Sequence, residues 1–177
     1  MGQITLPSKV KLIAGLLFVD FEILEETYNA LINSFGLIDT KSKIIDFNFT
    51  NYYNKEMGEN IKRQYISFEK LINPDQIVDI KIATNDLEEK ISCSNLNRKI
   101  NIDPGYIELG KLVLATTKNY THRIYLTKGI YAETTLKFSG KTFSSWSFTY
   151  PDYKTQETID YFNKVRELYK CQLQNLE

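Results

Sequence analysis

The run KVKLIAGLLFV, from Lys9 to Val19, constrains the fold more than any other part of the sequence. Its apolar residues occupy both sets of alternating positions, so a strand built from it would bury both of its faces. Such a strand belongs in the middle of a sheet that is covered by other elements on both sides. We therefore predict that residues 9–19 form the central strand of the fold.

Two helices and three further strands are predicted in the first part of the chain. Asp20 is an N-cap residue for a helix whose apolar residues recur at helical spacing until Gly36. A second helix starts at residues 73–76 (NPDQ), where Asn supplies the cap and Pro lies in the first turn. Alternating patterns predict strands at residues 45–50, 61–69 and 99–102. The order strand, helix, strand, strand, helix, strand over residues 9–102 is that of a ferredoxin-like βαββαβ unit.

The pattern changes from residue 103 onward. Asp103-Pro104-Gly105 predicts a turn, and the strand-like runs that follow predict an antiparallel β-meander. Those runs are residues 111–117, 122–126, 130–138 and 141–147. Thr155 can cap a C-terminal helix. With 177 residues the chain can bury one sizeable core, so we predict a single α+β domain over residues 1–177, with residues 103–177 extending the ferredoxin-like part.

Charge and composition exclude several classes of protein. The chain has 22 basic and 22 acidic side chains, so no overall field attracts nucleic acid or an anionic membrane, and no readout of DNA sequence is expected. No apolar run approaches the ~20 residues that span a bilayer. Cys93 and Cys171 form no CxxC pair, which argues against zinc-ribbon and thioredoxin sites. We expect a cytoplasmic protein without a membrane partner, with both cysteines reduced and structural.

A hairpin is predicted around Thr127-Lys128-Gly129, and its loop length fixes which residues face each other. A three-residue loop with a left-handed Gly in last place is a common hairpin geometry. It would pair Leu126 with Ile130 and Ile124 with Ala132 on one apolar face.

The same register would place Tyr125 opposite Tyr131 and Arg123 opposite Glu133 on the other face. A two-residue loop would mix apolar and charged partners, for example Ile124 with Glu133. We therefore favour the three-residue loop and predict that Arg123 and Glu133 are cross-strand neighbours.

This register defines a polar face on the meander. It comprises Arg123, Tyr125, Tyr131, Glu133, Thr135 and Lys137, with Trp146 nearby. If Ser139-Gly140 forms the next turn, Leu136 meets Phe143 on the apolar face. The polar face has two interpretations: a binding surface, or the solvated side that antiparallel sheets commonly have.

Candidate chemistry concentrates in this second part of the chain. His122 is the only histidine, which excludes a three-His metal site, and beside Arg123 it suits phosphate binding or proton transfer. Asp103, Glu133 and Asp152 are candidate carboxylates for acid–base chemistry or for Mg²⁺, which prefers oxygen ligands. The sequence lacks GxxxxGK[ST] and GxGxxG patterns, so it specifies no enzyme class by itself.

Across nearly the whole chain the sequence resembles a family of prokaryotic proteins catalogued as domain of unknown function 4416. The resemblance rests on Met57-Gly58, Ser67-Phe68-Glu69-Lys70-Leu71-Ile72, Asp103-Pro104-Gly105-Tyr106, Lys111-Leu112-Val113-Leu114-Ala115-Thr116-Thr117-Lys118, His122-Arg123-Ile124-Tyr125-Leu126, Gly129-Ile130-Tyr131-Ala132-Glu133 and Thr149-Tyr150-Pro151-Asp152-Tyr153. It implies that the polar residues of the meander occur together, and it assigns no catalytic residue.

The leading hypothesis is a protein that binds a phosphate-bearing small molecule or nucleotide, with Mg²⁺ as a candidate cofactor. Its candidate catalytic residues are His122, Glu133 and Asp103, of which Asp103 and Glu133 are also the candidate Mg²⁺ ligands. The candidate ligand-binding residues are Lys111, Thr117, Lys118, Arg123, Lys128 and Tyr131.

Two alternative hypotheses remain open. An RNA-binding module is suggested by aromatic and basic residues interleaved in KRQYISF (62–68) and HRIYL (122–126). A non-catalytic interaction protein is suggested by Tyr161, Leu168 and Leu176 on the C-terminal helix.

Overall fold

A computed structural model describes residues 2–92 and 98–175 of the chain. Its helices are α1 (Phe21–Phe35), α2 (Asn54–Met57), α3 (Ile77–Ser92) and α4 (Gln156–Gln174). Its strands are β1 (Val10–Phe18), β2 (Ile38–Lys41), β3 (Ile45–Asp46), β4 (Lys62–Ile72), β5 (Ile100–Ile107), β6 (Lys111–Thr116), β7 (Ile124–Thr127), β8 (Ile130–Ser139) and β9 (Thr142–Ser145). The protein is thus of mixed α and β structure, with an antiparallel sheet and a C-terminal helix.

Strand β1 is the buried central strand that its sequence predicts. All nine of its residues are buried, and it pairs in antiparallel fashion with β4 on one side and β5 on the other. The sheet runs in the order β2-β4-β1-β5-β6-β8-β7, while β3 pairs with β4 and β9 with β8. Strands from both parts of the chain therefore belong to one sheet.

The two faces of the sheet are covered by different helices. Leu12, Leu16 and the other even-numbered residues of β1 pack against α1 and α3. Ile13 belongs to a second cluster that contains Phe162 and Val165 of α4. Because successive strand residues point to opposite faces, every odd-numbered residue of β1 lies on the α4 side.

Helix ends follow the predicted capping signals. The Asp20 carboxylate accepts a hydrogen bond from the Glu22 amide at 2.7 Å, and α1 ends at Gly36, whose φ of 97° favours glycine. The Thr155 hydroxyl accepts from the Thr158 amide at 3.3 Å and starts α4.

Two further predictions, for residues 45–50 and 103–105, are wrong. Residues 45–50 do not form one strand, because β3 ends at Asp46 and the chain then leaves the sheet. Asp103-Pro104-Gly105 is not a turn, because β5 continues from Ile100 to Ile107 along the whole length of β1. Proline is tolerated inside β5 because β5 pairs with β6 only from Gly105 onward, so on that side no strand of the described chain pairs with Pro104.

The predicted register of the β7–β8 hairpin is confirmed away from its loop. Ile124 pairs with Ala132 and Tyr125 with Tyr131. The three-residue loop is wrong, because Thr127 rather than Leu126 pairs with Ile130. The turn consists of Lys128 and Gly129, which both have positive φ (52° and 78°), as in the two-residue turns that match strand twist. An irregularity between Tyr125 and Thr127 restores the predicted register.

The following hairpin also differs from the prediction. Leu136 pairs with Ser145 and Phe138 with Phe143, because the turn lies at Gly140-Lys141 rather than at Ser139-Gly140. Leu136 and Phe143 nevertheless share one buried cluster. The single polar face predicted for the meander is wrong, because an irregularity in the β6–β8 pairing places Glu133 and Leu136 on the same face, opposite Leu114 and Leu112. Glu133 and Thr135 are also buried.

Candidate functional site

A cavity of about 450 Å³ opens where strands β5 and β6 separate. The two strands pair over Gly105–Ile107 and Leu112–Leu114, whereas the first part of β5 and the end of β6 both line the cavity. Helix α3 and two loop segments complete its wall. We call this space the central cavity; its polar lining residues include Arg63, Lys81, Asn85, Arg98, Asn101, Asp103, Thr117, Lys118, Glu133 and Asp152.

Arg63 of β4 is the buried cation of the central cavity. Its Nε and Nη2 donate to the same oxygen of Asp152, at 2.8 and 2.6 Å. Asp152 also accepts from the Tyr65 hydroxyl at 2.9 Å. Desolvation is the largest influence and opposes the charge on Arg63, but the combined attraction of several nearby groups, Asp152 first among them, outweighs it and raises the pKa of Arg63 above its ordinary value. Arg63 is therefore a fixed positive charge.

Two buried donors beside this ion pair have no hydrogen-bond partner among the described residues: Arg63 Nη1 and the Tyr153 hydroxyl. Arg63 Nη1 lies 3.7 Å from an oxygen of Asp103, beyond hydrogen-bond distance. Both donors lie over Gly15 of β1, where an added Cβ would be 2.9 Å from the Tyr153 oxygen and 3.0 Å from Arg63 Nη1. Glycine therefore makes the room in which these two donors converge.

Helix α3 brings a second buried cation, Lys81, to the central cavity. Its ammonium donates to the Ile102 carbonyl at 2.9 Å. Glu88, two turns along α3, accepts from the Ile102 amide at 2.5 Å and forms an ion pair with Arg98. Burial raises the pKa of Glu88. Because one ammonium carries three donors, Lys81 keeps N–H groups for a ligand.

Asp103 contributes a carboxylate that remains partly open to the cavity. Its side chain is 29% exposed, and one of its oxygens accepts a hydrogen bond from the side-chain amide of Asn101 at 2.8 Å. Both residues lie on the α4 face of β5, two positions apart. Burial, and to a smaller extent the negative charge of Asp103, raises the pKa of the nearby Tyr53 hydroxyl. That phenol is therefore a hydrogen-bond donor at neutral pH.

Aromatic side chains from one segment form a further side of the central cavity. We call Phe47, Phe49, Tyr52 and Tyr53 the aromatic wall. The Phe47 ring lies 5.6 Å from Phe49 and 6.0 Å from Tyr53, measured between centroids. Lys118, two residues beyond the end of β6, donates to the Tyr52 hydroxyl at 2.8 Å and links the wall to that strand.

Glu133 organises the polar residues of the meander. It accepts from Arg123 Nε at 2.7 Å, which confirms the predicted contact of these two residues, and from His122 Nε2 at 3.2 Å. The His122 ring stacks on Phe148, with 4.1 Å between centroids. Arg123 also donates to the Tyr150 hydroxyl. Burial, and to a smaller extent the negative charge of Glu133, raises the pKa of Tyr150 to about 12.

The structure brings part of the predicted site together. Asp103, Thr117, Lys118 and Glu133 line the central cavity, and His122 and Arg123 contact it through Glu133. Three predicted ligand-binding residues lie elsewhere, each with another partner. Lys111 pairs with Glu108, Lys128 pairs with Asp79, and the Tyr131 ring packs against Tyr125.

The two residues proposed for Mg²⁺, Asp103 and Glu133, both line the central cavity. Within residues 2–92 and 98–175, no group of three or more His, Cys, Asp or Glu side chains could hold a metal ion. The Glu133 oxygens already accept from Arg123, His122 and Thr135. A carboxylate engaged by these donors is a poor partner for a hard cation, so we assign no step to Mg²⁺.

The sequence profile of one protein family, described as Domain of unknown function (DUF4416), matches residues 8–169. The chain belongs to this family. No curated protein and no solved structure matches the chain. The DUF4416 match includes every residue that lines the central cavity.

Arg63, Lys81 and Arg98 of this DUF4416 member were not among the site residues predicted from the sequence. Three weak signals were present. Arg63 has the same strand parity as Tyr65, so it points to the same covered face, and Lys81 lies within the apolar stripe of α3. Gly15, inside an otherwise apolar strand, was a third signal, because glycine there often marks a close approach.

The structure shows where the residues that suggested the two alternative hypotheses lie. Tyr65 and Phe68 of KRQYISF are buried, so they offer no open platform for bases, whereas Tyr125 is exposed. Tyr161 belongs to the core, and Leu176 lies outside the described residues.

Cys93 also lies outside the described residues, and Cys171 is a free, exposed thiol rather than a structural one. No helix of the described chain is long and apolar enough to cross a membrane.

Proposed function

We propose that this protein binds a phosphate-bearing small molecule in the central cavity. The observation that carries the proposal is the pair of converging donors, Arg63 Nη1 and the Tyr153 hydroxyl, which have no acceptor among the described residues. A buried donor without an acceptor costs about 1–3 kcal/mol. A phosphate oxygen of a ligand would accept from both donors and remove this cost.

Further cations favour the same class of ligand. Lys81, Arg98 and Lys118 also line the central cavity. Arginine and lysine side chains are the usual partners of phosphate, and their attraction is stronger in a partly enclosed site than in bulk water. Asp103 has the opposite charge and suits a different part of the ligand, since a carboxylate accepts from hydroxyl groups such as those of a sugar.

A thermal-shift screen tests the proposal. Inorganic phosphate, sugar phosphates and nucleotides would each be added at millimolar concentration, with EDTA or with Mg²⁺. Ligand at about 100 times its Kd adds about 2.7 kcal/mol to the free energy of unfolding. For a chain of this size, each kcal/mol raises the Tm by about 2–4 °C.

A matched pair of lysine variants locates the binding. Lys118→Ala removes a charge from the rim of the cavity, whereas Lys128→Ala removes one from an exposed pair with Asp79. We expect Lys118→Ala to reduce the ligand-induced shift and Lys128→Ala to preserve it. The absence of a shift with every phosphorylated compound would contradict the proposal.

We also propose that residues 9–102 form a ferredoxin-like unit. The order β2-β4-β1-β5 and the antiparallel pairing of each neighbouring pair support this classification. So does the position of α1 and α3 on one face of the sheet. An experimental structure would test it. The cytoplasmic location stays a prediction, which localisation of a tagged full-length chain would test.

A further inference from the structure

We propose that the ligand of the central cavity is a nucleotide, with its base against the aromatic wall and its phosphate toward Arg63 and Lys81. This inference rests on the proposed function and names the class of compound within it. Phosphate recognition alone needs cations and donors. The aromatic wall requires a different explanation.

The cavity has the size and the composition that a nucleotide needs. Its volume of about 450 Å³ falls within the range of about 300–1,000 Å³ that is typical of small-molecule sites. Cations reach it from β4, α3 and the end of β6, while the aromatic wall comes from the segment that follows β3. An anionic sugar without an aromatic group would leave that wall without a matching partner.

The aromatic wall is anchored at one end and open at the other. Phe47 is buried with Leu17, Met57 and Ile61 in a small cluster at the end of the sheet. Phe49 and Tyr52 keep 37% and 57% of their surface exposed. Rings that are held at their base and free on one side can stack on a planar base, and such stacking tolerates different bases.

The aromatic wall and the charged residue Arg63 are adjacent. The guanidinium carbon of Arg63 lies 5.7 Å from the centre of the Phe47 ring. When the phosphate of a compound lies at Arg63, the groups that are attached to that phosphate can therefore reach the aromatic wall. A nucleoside phosphate has this sequence of chemical groups: anion, polyhydroxylated sugar, planar ring.

Asn85 supplies a group that can read a base edge. It lines the cavity one turn beyond Lys81 on α3. A side-chain amide offers a donor and an acceptor side by side, which matches the donor–acceptor pairs on the edges of bases. Neither inorganic phosphate nor a sugar phosphate would use this pair in the same way.

Binding measurements on the full chain test the inference with four probes: inorganic phosphate, ribose 5-phosphate, AMP and GMP. Calorimetry would give the Kd of each. We expect at least one nucleotide to bind ten-fold or more tightly than ribose 5-phosphate. Phe49→Ala should remove most of that advantage, on the order of ten-fold, and leave the Kd of ribose 5-phosphate unchanged.

Phe148→Ala is the matched control, because Phe148 has a similar exposure of 38% and stacks on His122 outside the cavity lining. It should preserve the nucleotide advantage. Asn85→Ala should reduce the difference between AMP and GMP, and an unchanged difference would remove Asn85 from the base site. Equal affinity for nucleotides and ribose 5-phosphate would overturn the inference and leave phosphate binding intact. Failure of all four probes would overturn both proposals.

Discussion

Arg63 and Asp152, which lie 89 positions apart in the sequence, meet in a buried ion pair with two hydrogen bonds to one carboxylate oxygen. Both side chains are at least nine-tenths buried, with 5% and 3% of their surface exposed. The pair joins β4 to the turn before α4. It thereby fixes the position of Arg63, which lines the central cavity.

Asp152→Asn should strongly destabilise the protein. The substitution keeps the shape of the side chain but leaves the buried Arg63 charge uncompensated, and removing one partner of a buried pair costs about 3–5 kcal/mol. Urea denaturation would measure the loss. Asp160→Asn, on the exposed side of α4, is the control and should change stability by less than about 0.5 kcal/mol. Equal stability of the two variants would show that the Arg63 charge is compensated in another way.

Gly15→Ala should destabilise the protein and weaken any binding of phosphate. Alanine normally favours the folded state by about 0.4–1 kcal/mol, because it restricts the unfolded chain. Here the added methyl group would lie 2.9 Å from the Tyr153 oxygen, and overpacking of this kind costs about 1–3 kcal/mol. The destabilisation by overpacking should therefore exceed the stabilisation that comes from restricting the unfolded chain. Gly110→Ala is the control, since nothing lies within 4 Å of its added Cβ; a Gly15→Ala variant as stable as this control would be evidence that the two donors are not held over β1.

Arg123 and Glu133 should be energetically coupled. Their side chains are 8% and 2% exposed, so solvent screens their attraction less than that of a surface pair. A double-mutant cycle with Arg123→Ala and Glu133→Ala should give a coupling free energy of about 0.5–3 kcal/mol. The exposed pair Lys128–Asp79 is the comparison, and its coupling should lie at about 0–1 kcal/mol. A coupling for Arg123–Glu133 no larger than this would contradict a buried role for the pair.

Tyr28 should make stability fall with rising pH above its ordinary pKa of 10.0. Burial raises the pKa of this phenol to about 12 in the folded protein. Between pH 10 and pH 12 the folded state therefore holds a proton that the unfolded state has lost, so the contribution is present below pH 10 and is lost as the pH rises. Other buried tyrosines add to the same trend.

Tyr28→Phe isolates this contribution. The slope of the unfolding free energy against pH should be less steep in the variant, by up to about 1.4 kcal/mol per pH unit in this window. Denaturant titrations at several alkaline pH values would measure both slopes. Parallel curves for the two proteins would mean that Tyr28 ionises at the same pH in the folded and unfolded states.

Local patterns in the sequence determined the elements and some of their pairings. The apolar run of β1 predicted its central position, because only a strand covered on both faces tolerates apolar residues at every position. Asp20, Gly36 and Thr155 predicted helix ends through hydrogen bonds that span a few residues. Tyr125 and Tyr131 were paired correctly although the predicted loop was one residue too long, because an irregularity between Tyr125 and Thr127 compensates for the shorter turn.

Only the tertiary structure decided which of these residues form a site. Strand parity shows that Arg63 and Tyr65 share a face, but it does not show that α4 and the turn before it cover that face. The turn predicted at Asp103 was wrong because pairing with β1 over the full length of β5 outweighs the local preference of the Asp-Pro-Gly sequence. Arg63, Lys81 and Asp103 come from a strand, a helix and another strand. Their convergence depends on how those elements pack, which local patterns do not specify.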